Sequence, residues 1–111
     1  MLGRHILANF SNCQNITDGF ELTELLRGAA ECANATIIEV IPNNINKVTF
    51  GCVVVISESH ISAFAKKSRR FVALDIFTCG DQAVPEKALE YLTEKLRPGV
   101  VEKTTLVRGY D

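Results

Sequence analysis

Two nucleophilic side chains stand at the ends of apolar runs in this sequence. The first is Ser59, within the segment Ser-Glu-Ser-His that follows Val53–Ile56. The second is Cys79, within the segment Thr-Cys-Gly-Asp that follows Phe71–Phe77. Serine and cysteine are common side-chain nucleophiles, and strand ends hold functional groups on a rigid support. The sequence therefore predicts chemistry at the ends of two neighbouring strands.

Four segments resemble the prokaryotic S-adenosylmethionine decarboxylase family, the pyruvoyl enzymes of polyamine and spermidine synthesis. The strongest are VVVISESHIS (53–62) and LDIFTCGD (74–81), with Ser59 and Cys79 twenty residues apart. The opening LGRH (2–5) and the segment PEKALEYL (85–92) also fit the family pattern. The similarity covers most of the chain in order.

The resemblance implies a self-cleaving decarboxylase. In this family the serine hydroxyl attacks the preceding carbonyl, here that of Glu58, and the chain is cut into residues 1–58 (the β chain) and 59–111 (the α chain). Ser59 would become a pyruvoyl group, which forms a Schiff base with the substrate amine, so that no external cofactor and no metal is required. Cys79 matches the family's proton donor, and His60 is a further catalytic candidate.

Some positions depart from the family pattern. Phe64 stands where the family has a processing histidine, and Gly51 stands where it has a serine that assists processing. Groups that could substitute are His5, Ser57, His60 and Ser62, and the sequence does not choose among them. The family's adenine-stacking aromatic is also missing, and the nearby aromatics that could contact a substrate are Phe50 and Phe64.

The substrate therefore has two candidate classes. The family favours S-adenosylmethionine, whereas the missing stacking residue favours L-ornithine or L-arginine, which need a carboxylate rather than aromatic faces. A different class of function is a non-catalytic regulatory paralogue of such a decarboxylase. A small α/β binding module, in which Ser-Glu-Ser-His is an ordinary turn, is a third interpretation.

Length and charge limit the number of domains and the kinds of partner. The 111 residues predict a single domain. With 12 basic and 13 acidic residues, the net charge does not favour binding to nucleic acid or to a membrane surface. The first residues lack the apolar region of a signal peptide, so we expect a cytoplasmic protein. An enzyme this small often completes its site with a second subunit, so a homodimer or higher homo-oligomer acting on a small molecule is expected.

Periodicity predicts an α/β (α+β) two-layer sandwich, with two helices on one face of a mostly antiparallel sheet. The predicted strands span 4–10, 36–41, 48–56, 71–77 and 100–108, and the predicted helices span about 18–33 and 85–96. The runs at 53–56 and 71–77 predict strands buried on both faces. Residues 62–70 are interpreted as a loop.

The four cysteines form no C-x-x-C pair, so a zinc or thioredoxin-like site is not indicated. Cys13, Cys32 and Cys52 are expected to be small buried hydrophobic residues with free thiols in a reducing compartment.

Overall fold

The computed structural model describes residues 2–110, which form a six-stranded antiparallel sheet with two helices packed on one face. The elements in chain order are β1 (Leu2–Ser11), α1 (Gly19–Cys32), β2 (Ile37–Asn44), β3 (Thr49–Ile56), β4 (Ser59–Lys66), β5 (Phe71–Cys79), α2 (Pro85–Leu96) and β6 (Val100–Gly109). The strand order is β2-β3-β4-β5-β1-β6. The predicted fold class is confirmed.

Alternating burial explains the two-layer arrangement. In β5 every second side chain is buried, beginning with Val72 and ending with Thr78. These residues face α1 and α2, whereas the alternate side chains face away from the helices. The interpretation of β3 and β5 as strands buried on both faces is therefore wrong, because two helices cover one side of this sheet.

The loop predicted at 62–70 is also wrong. Residues 59–66 form β4, which pairs with β3 on one side and with β5 on the other, and a short 3-10 helix follows at Lys67–Arg69. The inward side chains of β4 are Ile61, Ala63 and Ala65. Alanine has a low strand propensity, which concealed the alternation in this segment.

The helix limits follow from their capping residues. The side chain of Asp18 accepts a hydrogen bond from the backbone N–H of Glu21 and caps α1. Asn34, just beyond α1, has a φ of 61°, a left-handed conformation that asparagine tolerates. Pro85 occupies the first turn of α2, where a missing N–H costs nothing.

The face of the sheet opposite the helices, here called the open face, presents apolar side chains. Leu7, Val53, Phe64 and Leu106 lie there, each more than one third exposed. The neighbouring backbone and side chains form a wide groove of about 630 Å³ across this face. Neither helix of residues 2–110 has the length and apolar composition needed to cross a bilayer.

Candidate active site

The turn between β3 and β4 contains the predicted cleavage junction. Ser57 and Glu58 form this two-residue turn, and Ile56 and Ser59 on either side of it are partners in the antiparallel register. The Glu58–Ser59 bond therefore lies where the chain enters β4. The two strands hold it from both sides.

The Ser59 hydroxyl oxygen is buried and has no hydrogen-bond partner within residues 2–110. A buried polar atom without a hydrogen-bond partner lowers the free energy of unfolding by about 1–3 kcal/mol relative to one that is hydrogen-bonded. Such atoms are rare in folded proteins and often have a functional role. Because no other group uses its proton or lone pairs, the oxygen of Ser59 is available as a nucleophile toward the adjacent carbonyl of Glu58.

Cys79 lies at the same end of the sheet. His60 of β4 pairs with Phe77 of β5, so the register brings the start of β4 to the end of β5. The turn 57–58 and Cys79 line one cleft of about 250 Å³. The structure thus places Cys79 in one cleft with Ser57 and Glu58, the two residues that precede Ser59.

Gly3 makes room for the Cys79 thiol. The two residues are cross-strand partners in β1 and β5. A Cβ atom on Gly3 would lie 2.6 Å from Cys79 Sγ and 2.6 Å from the Thr78 carbonyl oxygen. Both distances are far below van der Waals contact, so residue 3 must be glycine for the thiol to keep this position.

Two histidines and an aspartate meet on the open face beside this cleft. His5 Nε2 makes a short contact with Asp75 Oδ1, and His60 Nε2 lies 3.4 Å from the same oxygen. The three side chains come from β1, β5 and β4, which are neighbours in the sheet. Their ligand atoms lie within 4.8 Å of one another, a donor set with the chemistry of a divalent metal site.

Arg108 and Phe77 surround this cluster. Arg108 Nη1 lies 2.9 Å from His5 Nδ1, and its guanidinium carbon lies 4.5 Å from the centre of the Phe77 ring. The His5 ring stacks on Phe77, with 4.9 Å between the ring centres. The aromatic ring and the guanidinium therefore hold His5 in one orientation.

The two candidate substrate-contacting aromatics lie in different environments. Phe50 is 1% exposed and packs in the core, whereas Phe64 is 43% exposed and lines the groove on the open face. Phe64 is thus the one of the two that a bound molecule can reach. A Cβ atom on Gly51, its direct partner in β3, would lie 2.8 Å from the Ala63 carbonyl oxygen, so the two backbones approach closely at this glycine.

The remaining cysteines differ from one another. Cys13 and Cys52 are buried as predicted, and burial raises the pKa of the Cys13 thiol to about 11. Burial also raises the pKa of the Cys52 thiol. The prediction for Cys32 is wrong, because this side chain is exposed at the last residue of α1.

Sequence reasoning did not assemble the cluster around Asp75. The sequence makes His5 one of several processing candidates, but it does not join this residue to Asp75, Phe77 or Arg108. A signal was present, because Asp75 is a charged residue between two core residues of an apolar strand. The register that places Asp75 beside both histidines is not readable from spacing.

Comparisons with known proteins identify similar chains. A sequence model of the family described as S-adenosylmethionine decarboxylase matches residues 4–109. A protein from Thermomicrobium roseum named S-adenosylmethionine decarboxylase proenzyme is 34% identical over 110 residues, which cover 97% of this chain and 94% of that protein. A protein of the same name from Thermoanaerobacter pseudethanolicus is 40% identical, over 97% of this chain and 89% of its own length.

A solved structure is similar over nearly the whole chain. The crystal structure of the adenosylmethionine decarboxylase from Aquifex aeolicus superimposes with a TM-score of 0.89 at 30% sequence identity. The match covers 99% of this chain and 92% of that chain.

Proposed function

The chain belongs to the S-adenosylmethionine decarboxylase family, and we propose that it is a self-processing, pyruvoyl-dependent decarboxylase of polyamine synthesis. The observation that carries this proposal is the buried Ser59 hydroxyl, which has no partner in the described chain and sits beside the Glu58 carbonyl at a strand-held turn. The relatives named as proenzymes support a precursor that is cleaved.

The proposed processing uses the atoms of this chain and one water molecule. Ser59 Oγ attacks the carbonyl carbon of Glu58, the peptide C–N bond breaks, and the proton from the hydroxyl is passed on so that a free amine results. Loss of the Ser59 α-proton and departure of the Glu58 carboxylate then separate residues 1–58 from 59–111. Water hydrolyses the remaining enamine and releases ammonia, which leaves a pyruvoyl group as the new terminus.

Cys79 is proposed to supply a proton during decarboxylation. The pyruvoyl group supplies an electron-withdrawing carbonyl for the substrate amine, as a carbonyl cofactor would. The carbon that loses carbon dioxide then needs a proton donor. Cys79 lines the cleft next to the processing turn, and its thiol has a clear position because Gly3 lacks a side chain. No external cofactor or metal has a step in this scheme.

The substrate is proposed to be S-adenosylmethionine, with L-ornithine or L-arginine as the alternative class. The relatives' names support the first. The groove on the open face offers Phe64 as an aromatic surface and Asp75 and Glu102 as carboxylates, so both a sulfonium nucleoside and a basic amino acid find suitable chemistry there.

A homodimer or higher homo-oligomer is proposed as the active form. The exposed apolar side chains of the open face are the support, because exposed apolar surface favours association. A second subunit packed there would also cover the groove and exclude water from it.

Intact mass under denaturing conditions tests the proposal. The purified chain should appear as two fragments that meet at Glu58 and Ser59, and Ser59→Ala should remain one chain of 12.2 kDa. Carbon dioxide release from S-adenosylmethionine, L-ornithine and L-arginine then identifies the substrate. Fragments without activity on any of the three would contradict the decarboxylase assignment.

A non-catalytic regulatory paralogue is the second candidate. The observation that favours it is the presence of Gly51 and Phe64 at positions where the family has groups that assist processing. This function predicts a single uncleaved chain, both alone and after long incubation. Retention of both Ser59 and Cys79 favours the enzyme instead.

A further inference from the structure

The protonation of His5 follows from its contact with Arg108. A guanidinium has donors and no acceptor, so the 2.9 Å contact between Arg108 Nη1 and His5 Nδ1 requires Nδ1 to accept. An accepting Nδ1 carries no proton, and the imidazole must then carry its proton on Nε2. His5 Nε2 contacts Asp75 Oδ1, so this proton is donated to the carboxylate.

Asp75 connects the two histidines. Its Oδ1 atom accepts from His5 and lies 3.4 Å from His60 Nε2, close enough to fix the orientation of the second ring. We propose that Arg108, His5 and Asp75 are positioning residues that hold His60, and that His60, which follows Ser59 in the chain, transfers protons on the open face. The catalytic half of this inference rests on the proposed function, whereas the chain of contacts from Arg108 through His5 and Asp75 to His60, here called the relay, does not.

Burial distinguishes the residue that reacts from those that position it. The His5 side chain is 10% exposed and is enclosed by Phe77, Asp75 and Arg108. The His60 side chain is 40% exposed and directly follows Ser59 in the chain. A bound molecule can reach His60 and not His5. An imidazole oriented by a carboxylate is a standard arrangement for general acid–base chemistry.

A metal ion would bind the same three ligand atoms, but Arg108 disfavours metal coordination by His5. Coordination through His5 Nε2 would move the ring proton to Nδ1, where it would face an N–H of the guanidinium. A ligating histidine normally directs its second nitrogen toward an acceptor. The donor at this position therefore favours the relay over a metal site.

Nitrogen NMR tests the relay without any reliance on activity. The chain has two histidines, so His5→Gln and His60→Gln assign the ring signals. We expect His5 to show a single neutral tautomer with its proton on Nε2. Arg108→Met should turn this into a mixture of tautomers. Arg4→Met is the matched control, because Arg4 pairs with Glu86 at 3.0 Å on the helix side and should leave both rings unchanged.

Substitution of Asp75 tests the link between the rings. Asp75→Leu should shift the ring signals of His5 and His60 together, and circular dichroism checks that the variant is folded. If Asp75→Leu does not fold, the Arg108→Met spectra still test the relay. The relay predicts that the His60 ring signals change in Arg108→Met, although Arg108 contacts His5. Unchanged His60 signals in every folded variant would overturn the relay.

Kinetics test the role of His60. His60→Gln should reduce the rate of cleavage or of carbon dioxide release by about 100-fold, the usual range for a general acid or base. Arg108→Met should lower kcat less and leave KM unchanged, and Arg4→Met should behave as wild type. Wild-type rates in His60→Gln would overturn the catalytic half. If the wild-type chain shows neither cleavage nor decarboxylation, both the proposed function and the catalytic role of His60 are wrong. The NMR spectra would still test the relay in that case.

Metal binding is the remaining outcome that would overturn the inference. Co²⁺ added to the protein should leave the visible spectrum and both ring signals as they were. Absorption bands of bound Co²⁺ that disappear in Asp75→Leu would instead assign the cluster as a metal site.

Discussion

Gly51 of β3 and Phe64 of β4 are directly opposite each other in the antiparallel register. These are the two positions at which the sequence departs from the processing groups of its family. They therefore form one cross-strand pair. Where the family has a serine opposite a histidine, this chain has a glycine opposite a phenylalanine. A serine cannot simply be restored at position 51, because its Cβ atom would lie 2.8 Å from the Ala63 carbonyl oxygen.

The first prediction concerns Phe64. Phe64→His places an imidazole on the open face at an exposed position, and we expect cleavage of the precursor to accelerate by about tenfold or more. Phe64→Leu is the control, because it also removes the ring but adds no proton-transferring group. Intact mass over time measures both rates. Equal rates in the two variants would show that position 64 does not limit processing.

The second prediction concerns the stability of the precursor. Ser59→Ala removes a buried hydroxyl oxygen that has no partner in the described structure, so the uncleaved chain should be stabilised by up to about 1 kcal/mol. Urea unfolding should be compared with that of an uncleaved wild-type sample. Ser57→Ala, in the same turn but exposed, should not change stability. Destabilisation by Ser59→Ala would mean that the hydroxyl has an unrecognised partner.

The third prediction concerns Gly3. Gly3→Ala should destabilise the protein by about 1–3 kcal/mol, since the added methyl group overlaps the Thr78 carbonyl oxygen and Cys79 Sγ. It should also lower carbon dioxide release by displacing the thiol. Urea unfolding and activity assays measure the two effects. Leu2→Ala, at a neighbouring position that is 52% exposed, should retain activity.

The fourth prediction concerns alkaline pH. Burial raises the pKa of the Cys13 thiol from 9.0 to about 11, so the neutral thiol is favoured in the folded state. This contribution to stability is complete below pH 9 and is lost as the pH rises toward 11, by about 2 kcal/mol over that interval. Urea unfolding of wild type and Cys13→Ala across this range should show a smaller decline in the variant. Parallel declines would contradict the assignment.

Most of the fold could be predicted from local patterns, and the errors have specific causes. The apolar stripe of α1, the capping Asp18 and the proline at the start of α2 each depend on neighbouring residues alone. The strand β4 was missed because its inward residues are small and a basic run follows them. Small side chains carry little of the hydrophobic signal on which alternation depends.

Only those site residues that lie in short sequence motifs could be predicted from the sequence. Ser59 and Cys79 could be placed at strand ends, but the contact between His5 and Asp75 joins residues 70 positions apart. It depends on the register of β1 against β5, and a shift by one residue would turn Asp75 to the other face. Long-range register is set by the packed core as a whole, which no short segment encodes.

The position of β1 between β5 and β6 has a consequence for the mature protein. A cut after Glu58 would leave β1, β2 and β3 on one polypeptide and β4, β5 and β6 on the other, so the two would alternate across the sheet. Neither product could leave without breaking three strand interfaces. Unfolding of the processed form would become a dissociation, so its melting temperature should rise more steeply with protein concentration than that of the uncut precursor.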